Sequence, residues 1–135
     1  MNKAHSPSQI IELSIQGQIE SLDQLLEYSH AQLLEASLRL SPSERTLTKK
    51  NLYRLLIEFQ KGQFSDTKIQ LWATWIRHGF LPNHGAGPIK PVDIEYESEH
   101  EELINEVTLR LEELGEVVDG EISSNELSAM ISQLK

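Results

Sequence analysis

Hydrophobic residues recur along most of the chain at the three- and four-residue spacing of helices that are apolar on one face. This spacing predicts a first helix after Ser6, a second after Ser21 and a third that runs from Ser41 to about Gln60. Each of these serines can accept a hydrogen bond from the first free N–H groups of its helix, which is typical of a helix start.

The same spacing continues in the second half of the chain. A fourth helix is predicted after Ser65, a fifth over roughly 98–114 and a last one after Ser123. No segment alternates polar and apolar residues over several positions, and residues 92–97 are the only strand candidate, at best an isolated strand. The predicted fold class is therefore all-α, a bundle of five to six helices joined by short turns that contain glycine.

Chain length and the positions of glycine and proline bear on domain organisation. With 135 residues the chain is long enough for one core, and we expect a single helical domain over residues 1–135. Glycine and proline are concentrated between Gly79 and Val92, so residues 79–97 are expected to contain a flexible loop. This loop is too short to predict a domain boundary.

A short glycine–serine pattern occurs more than once. Residues 61–69 (KGQFSDTKI) and 119–127 (DGEISSNEL) share a glycine, a Gln or Glu, an apolar residue and a serine, and residues 16–25 hold a looser copy. Glycine can adopt the left-handed conformation that ends a helix, and the serine can cap the next helix. The pattern therefore predicts sharp corners between successive helices.

The second copy also resembles the back half of a calcium-binding EF-hand loop. With Gly120 at loop position 6, Ser123 takes position 9, as such a loop requires. Positions 1 and 3 then fall on Gly115 and Val117, which have no side-chain oxygen to bind the ion. We therefore interpret the stretch as a structural corner in which Gly120 has positive φ, Ile122 is buried and Ser123 caps the last helix.

Composition and charge narrow the possible functions. The chain has no cysteine, no apolar leader and no apolar run long enough to cross a membrane, so we expect a cytoplasmic protein without membrane contact or cofactor. Residues 93–135 hold 13 acidic and only 2 basic residues, within a chain whose formal net charge is −9. A field of this sign repels nucleic acid and attracts a basic partner.

The densest acidic segment, residues 93–102 (DIEYESEHEE), is the main candidate for partner binding. Its carboxylates surround Tyr96 and comprise Asp93, Glu95, Glu97, Glu99, Glu101 and Glu102. Because the segment follows the glycine- and proline-rich loop, we expect it to be exposed and to dock on a basic protein surface. On the preceding helix, Trp72 is expected in the core, and Trp75 lies either in the core as well or half-exposed, where it would serve with Arg77 and His78 as an anchor for a partner.

Other kinds of site have weaker support. No nucleophile motif, phosphate-binding loop or dinucleotide fingerprint is present, so we expect no catalytic residues. His78 and His84 lie near each other, but no carboxylate stands at metal-binding spacing beside them, and no metal site is expected. The basic residues Arg45, Lys49, Lys50 and Arg54 could precede a DNA-reading helix, but that helix is too apolar and the net charge has the wrong sign.

The stretch LLIEFQKGQFSDTKIQLWATW (55–75) resembles the core signature of small helical immunity proteins, of the colicin and contact-dependent-inhibition antitoxin types. The carboxy-terminal part, ELINEVTLRLEEL followed by DGEISSNEL, is similar in style to several cytosolic immunity families. The resemblance implies a single-domain cytoplasmic inhibitor that binds a cognate toxin domain, often a basic nuclease, and masks the surface that binds its nucleic-acid substrate. Two alternatives stay open, a helical adaptor or regulatory subunit of another cytosolic complex and a small enzyme without recognisable motifs.

Overall fold

The computed structural model describes residues 6–81, 90–113 and 122–135, and within them the chain forms seven α-helices and one pair of two-residue strands. The helices are α1 (Pro7–Ile15), α2 (Ser21–Leu25), α3 (His30–Ser37), α4 (Lys49–Gln60), α5 (Asp66–His78), α6 (Glu101–Glu112) and α7 (Ser124–Leu134). The strands β1 (Thr46–Leu47) and β2 (Glu95–Tyr96) pair in parallel. The fold is predominantly helical, as predicted, with a small sheet that the hydrophobic pattern does not predict.

Several predicted helix starts are confirmed by their hydrogen bonds. At the start of α1, the Gln9 backbone N–H donates to Ser6 Oγ at 3.3 Å, and the Ser6 N–H donates to Gln9 Oε1 at 2.9 Å. Ser65 accepts from the Lys68 N–H at the start of α5, and Ser123 accepts from the Glu126 N–H at the start of α7. These bonds use N–H groups that have no partner within the helix, which is why serine is favoured there.

The predicted second helix is wrong in its extent, because the structure divides it into α2 and α3. The chain leaves the helix after Leu25 and starts again at Ser29, whose side chain accepts from the Gln32 N–H in a second capping box. Leu25 and Leu33 are both fully buried. Leucine periodicity alone did not show the break, since both pieces present their leucines to the same core.

The predicted start of the third helix at Ser41 is also wrong. Ser41 caps only a 3₁₀ turn at Ser43–Arg45, and α4 begins at Lys49 with Thr48 as its cap. Between the turn and the helix, β1 is extended and buries Leu47 completely. Pairing with β2 supplies backbone hydrogen bonds that a continuous helix would otherwise provide, so this tertiary contact overrides the local signal.

The predicted corners are partly confirmed. Gly62 has φ +77° and precedes the cap at Ser65, as the pattern requires, whereas Gly120 lies outside the described residues. The looser copy at 16–25 has a glycine with positive φ, but its serine does not cap a helix, because the Ser21 hydroxyl instead donates to the Gln18 carbonyl. Ile122 packs against the core but is only partly buried, less than predicted.

The centre of the core is a hydrogen-bonded contact between α1 and α5. Trp72 Nε1 donates to the Ser14 carbonyl oxygen at 2.7 Å, and Trp75 Nε1 donates to Ser14 Oγ at 2.9 Å. The Ser14 hydroxyl in turn donates to the Ile11 carbonyl oxygen at 2.7 Å. Both tryptophans and the serine are fully buried, so each indole N–H needs a partner that the protein itself supplies.

Substitution of Ser14 tests this contact. Ser14→Ala leaves the Trp75 N–H buried without its acceptor, so we expect a loss of about 1–3 kcal/mol in the free energy of unfolding. Urea denaturation followed by tryptophan fluorescence measures this loss. Ser37→Ala is the matched control, because the buried Ser37 hydroxyl donates to the Leu34 carbonyl of its own helix and bonds to no other residue in the described part of the chain. We expect the control to change stability by less than about 1 kcal/mol, and equal losses in both variants would contradict the assignment.

Candidate functional site

The acidic segment 93–102 is held in place by the strand pair. Thr46 is opposite Glu95 and Leu47 is opposite Tyr96, and the Glu97 N–H donates to the Leu47 carbonyl oxygen at 2.9 Å. The expectation that residues 92–97 form at best an isolated strand is therefore wrong. Of the loop expected within residues 79–97, residues 82–89 lie outside the described part of the chain.

Gly79 fixes the point at which the chain leaves α5 on its way to the acidic segment. Gly79 has φ +74°, and its carbonyl oxygen accepts from the N–H of the buried Val92 at 2.9 Å. A Cβ at this position would overlap the Val92 carbonyl oxygen and lie 2.7 Å from Pro91 Cβ. Only glycine accommodates both the positive φ and the close approach of Val92. Gly79 and Val92, which are far apart along the connection between α5 and β2, therefore meet at this point.

Two of the six predicted carboxylates are used within the fold. Arg45 Nη1 donates to the Asp93 carbonyl oxygen at 2.7 Å and lies 3.1 Å from Asp93 Oδ2. Glu97 Oε1 accepts from the Lys49 N–H at 3.0 Å, at the amino end of α4, where the helix dipole favours negative charge. The Asp93 side chain remains 76% exposed, so its ion pair with Arg45 contributes little stability.

The other four carboxylates are exposed and make no ion pair with any residue in the described ranges. They are Glu95, Glu99, Glu101 and Glu102. Two adjoining grooves run between them, and both are lined by Tyr96, Ser98, Glu101 and Asn105. The outer groove, of about 710 Å³, also reaches Glu99 and Glu102, and the inner groove, of about 520 Å³, reaches Glu95.

Arg77, one of the predicted partner-binding residues, lines the inner groove, but its charge is compensated by Glu112 on α6. Arg77 Nε donates to Glu112 Oε1 at 3.1 Å, and Arg77 Nη1 donates to Asn105 Oδ1 at 2.9 Å. His78 Nε2 lies 2.5 Å from Glu112 Oε2, so this carboxylate joins two consecutive residues at the end of α5. His78 is exposed, but it lines neither groove.

Of the two alternatives for Trp75, burial in the core is confirmed and a half-exposed anchor is wrong. Its side chain is fully buried and bonded to Ser14, so it offers no surface to a partner. The structure therefore brings together six of the ten predicted partner-binding residues, namely Arg77, Glu95, Tyr96, Glu99, Glu101 and Glu102. Asp93, Glu97, His78 and Trp75 lie elsewhere or are used internally, and whether any of the ten contacts a partner stays a prediction.

Ile94, Asn105 and Leu109 are among the residues of this surface that were not predicted to bind a partner. Ile94 and Asn105 line the inner groove, and Leu109 lies 40% exposed on α6, outside the buried stripe of that helix. The position of Leu109 can be read from helical spacing, because it falls between the core positions Val107 and Leu111. Ile94 gave no such signal, since its exposure depends on the pairing of β2.

The basic residues considered for DNA binding are partly used within the fold. Besides the contact of Arg45 with Asp93, Arg54 Nη2 donates to the Gln16 carbonyl oxygen at the end of α1, at 3.0 Å. Lys49 Nζ donates to the Lys135 carbonyl oxygen at 3.3 Å. Of the four, only Lys50 has no such contact to the described residues, so three of these side chains are held by intramolecular hydrogen bonds.

Comparison with known proteins found no matching family model and no significantly similar curated protein or solved structure. Within residues 6–81, 90–113 and 122–135, no helix has the length and apolar character needed to cross a membrane. The same residues contain no group of three or more histidines, cysteines, aspartates or glutamates placed to hold a metal ion.

Glu97 is bonded within the fold and Glu99 is exposed, so alanine variants of the two residues should differ in stability. Glu97→Ala removes an acceptor at the amino end of α4, so we expect a loss of about 1 kcal/mol in the free energy of unfolding. Glu99→Ala removes an exposed side chain without a described partner, so we expect a change within about 0.5 kcal/mol. Chemical denaturation of the two variants measures the difference, and equal stabilities would contradict the division.

Two glycine variants test whether Gly79 is required for the close approach of Pro91 and Val92 to the end of α5. Gly62→Ala places a side chain at positive φ with no atom within 4 Å, so we expect a loss of about 1–2 kcal/mol from backbone strain alone. Gly79→Ala adds steric overlap with Pro91 and Val92, and we expect a further loss of about 1–3 kcal/mol. Thermal denaturation compares the two, and a Gly79 variant no less stable than the Gly62 variant would contradict this account.

Proposed function

We propose that this protein is an immunity-type inhibitor that binds the basic surface of a cognate toxin, a nuclease domain being the favoured class, and blocks access of its substrate. The observation that carries the proposal is the group of exposed carboxylates Glu95, Glu99, Glu101 and Glu102, which flank two adjoining grooves without ion pairs to described residues. A basic nuclease surface has the complementary charge.

The electrostatics of this surface support binding more than they support stability. Like charges held close together repel one another, so these four carboxylates do not stabilise the free protein. A cationic partner would replace that repulsion with attraction and would be steered toward the surface before contact. Glu106 and Leu109 are also exposed on α6. They follow Glu102 and Asn105 by four residues, so helical periodicity places one more acidic and one apolar residue on the same side of the helix.

The proposal includes the finer features that the resemblance implies. The helices would form one bundle-like scaffold, with α5 and α6 packed side by side behind the grooves. The protein would act in the cytoplasm, where a chain without cysteine loses nothing in the reducing environment. It would act by covering the toxin, not by chemistry, and so would need no cofactor.

Co-expression tests the proposal directly. The product of the neighbouring open reading frame is expressed alone and together with this protein, and growth of the host cells is measured. We expect growth arrest with the neighbour alone and restored growth with the pair. A neighbour that is harmless, or one that stays toxic in the presence of this protein, would overturn the immunity assignment; a harmless neighbour that co-purifies with it would favour an adaptor or regulatory subunit.

Charge reversal tests the surface itself. In the triple variant Glu95→Lys, Glu99→Lys, Glu101→Lys, three attractive contacts become repulsive, so we expect at least a hundredfold loss of affinity for the toxin and no rescue of growth. The matched control is Glu20→Lys, Glu27→Lys, Glu35→Lys, which makes the same charge change at exposed positions on and around α2 and α3. Circular dichroism checks that both variants are folded. Equal losses in both variants would show that only net charge matters.

A further inference from the structure

The inner groove has a composition that the charge of the surface does not explain. Its apolar lining consists of Ile76, Ile94 and Tyr96, and its acidic residues are Glu95 and Glu101. Its volume of about 520 Å³ lies within the range of clefts that hold small ligands, roughly 300–1,000 Å³. We infer that this groove is a subsite for one arginine or lysine side chain of the partner protein, an inference that rests on the proposed function.

The apolar lining suits the stem of such a side chain. Ile76 is 2% exposed and closes the bottom of the groove, while Ile94 and Tyr96 are partly buried and pack against the core. Arginine and lysine carry three or four methylene groups that bury well along apolar surface while the charged head stays near water. A carboxylate side chain would instead place its negative charge beside Glu95 and Glu101.

The charges around the groove suit the head of the side chain. Glu95 and Glu101 are exposed and make no ion pair with the described residues. Among the described residues that line the groove, Arg77 is the one cation, and its guanidinium is already engaged by Glu112 and Asn105. The local balance is therefore negative, which excludes an anionic occupant and favours a cation.

Tyr96 favours arginine over lysine. Its hydroxyl lies 3.4 Å from Thr108 Oγ1 on α6, which directs the phenol end of the ring toward that helix. Tyr96 is only partly buried and lines both grooves, so the residue borders the space that an incoming side chain would occupy. A guanidinium near an aromatic ring gains cation–π attraction and stacks better than an ammonium, and its planar head can bind a carboxylate with two hydrogen bonds.

A titration with small peptides tests the subsite without any toxin. The ¹⁵N-labelled full-length protein is titrated with the capped tripeptide Ac-Gly-Arg-Gly-NH₂, with the lysine peptide and with the glutamate peptide as a negative control. We expect the arginine peptide to shift the amide resonances of Tyr96, Ser98 and Asn105 more than those of Glu106 and Leu109, with weaker shifts for lysine and none for glutamate.

Four variants then separate the contributions. Glu95→Gln and Glu101→Gln together should weaken arginine binding several-fold, whereas Glu27→Gln and Glu35→Gln, which remove the same charge elsewhere, should leave it nearly unchanged. Tyr96→Leu keeps an apolar lining but removes the ring, and a cation–π contribution of about 0.5–1 kcal/mol corresponds to a loss of about two- to fivefold in affinity. Tyr96→Phe keeps the ring and should bind like the unchanged protein.

Several outcomes would overturn the subsite. Three of them are shifts spread evenly over the acidic surface, no shifts at all, and equal binding of the arginine and glutamate peptides. A fourth is a set of shifts at the groove that grows with protein concentration in the absence of peptide, which would identify a second copy of the chain as the occupant. The result is independent of the co-expression test. If the arginine peptide binds but the product of the neighbouring reading frame is not toxic, the subsite is retained and the immunity assignment is rejected. If this protein restores growth but the arginine peptide does not bind, the immunity assignment is retained and the subsite is rejected.

Discussion

The buried contact of Ser14 with Trp72 and Trp75 is the constraint on which the rest of the structure depends. Two indole N–H groups cannot enter an apolar core without acceptors, and one serine supplies both, through its carbonyl and its hydroxyl. This sets the distance and rotation of α5 against α1. Because α6 packs on α5, and Arg77 at the end of α5 bonds to α6, the position of the grooves follows from the same contact.

The candidate surface shows how one run of acidic residues can serve two purposes. The strand β2 covers only Glu95 and Tyr96, and the chain enters a 3₁₀ turn at Ser98–His100, so carboxylates two residues apart do not share one face and meet different surroundings. Glu97 caps α4, whereas Glu95 and Glu99 on either side of it face solvent beside the grooves. The density of charge in the segment therefore overstates the number of carboxylates available to a partner.

Local sequence signals were sufficient where a helix end is set by its own residues. Ser6, Ser65 and Ser123 cap the helices that they were expected to cap. The signals failed at Ser41, where pairing between β1 and β2 replaces the start of a helix. They left the burial of Trp75 open, because that burial requires an acceptor on α1. For the candidate site, the sequence was sufficient to predict its negative charge and the presence of Tyr96. It could not predict the grooves, or the hydrogen bonds of Asp93 and Glu97 within the fold, because these depend on tertiary contacts.

The pairing of β1 with β2 also links distant parts of the chain. The bond between Lys49 and Glu97 joins residues 48 positions apart, and closing such a loop costs entropy that other contacts must offset. The shape of the grooves therefore depends on long-range contacts, whereas their charge does not. A chain that opens at this pair keeps all of its carboxylates, and so its attraction for cations, but loses the shape that would distinguish one cationic protein from another.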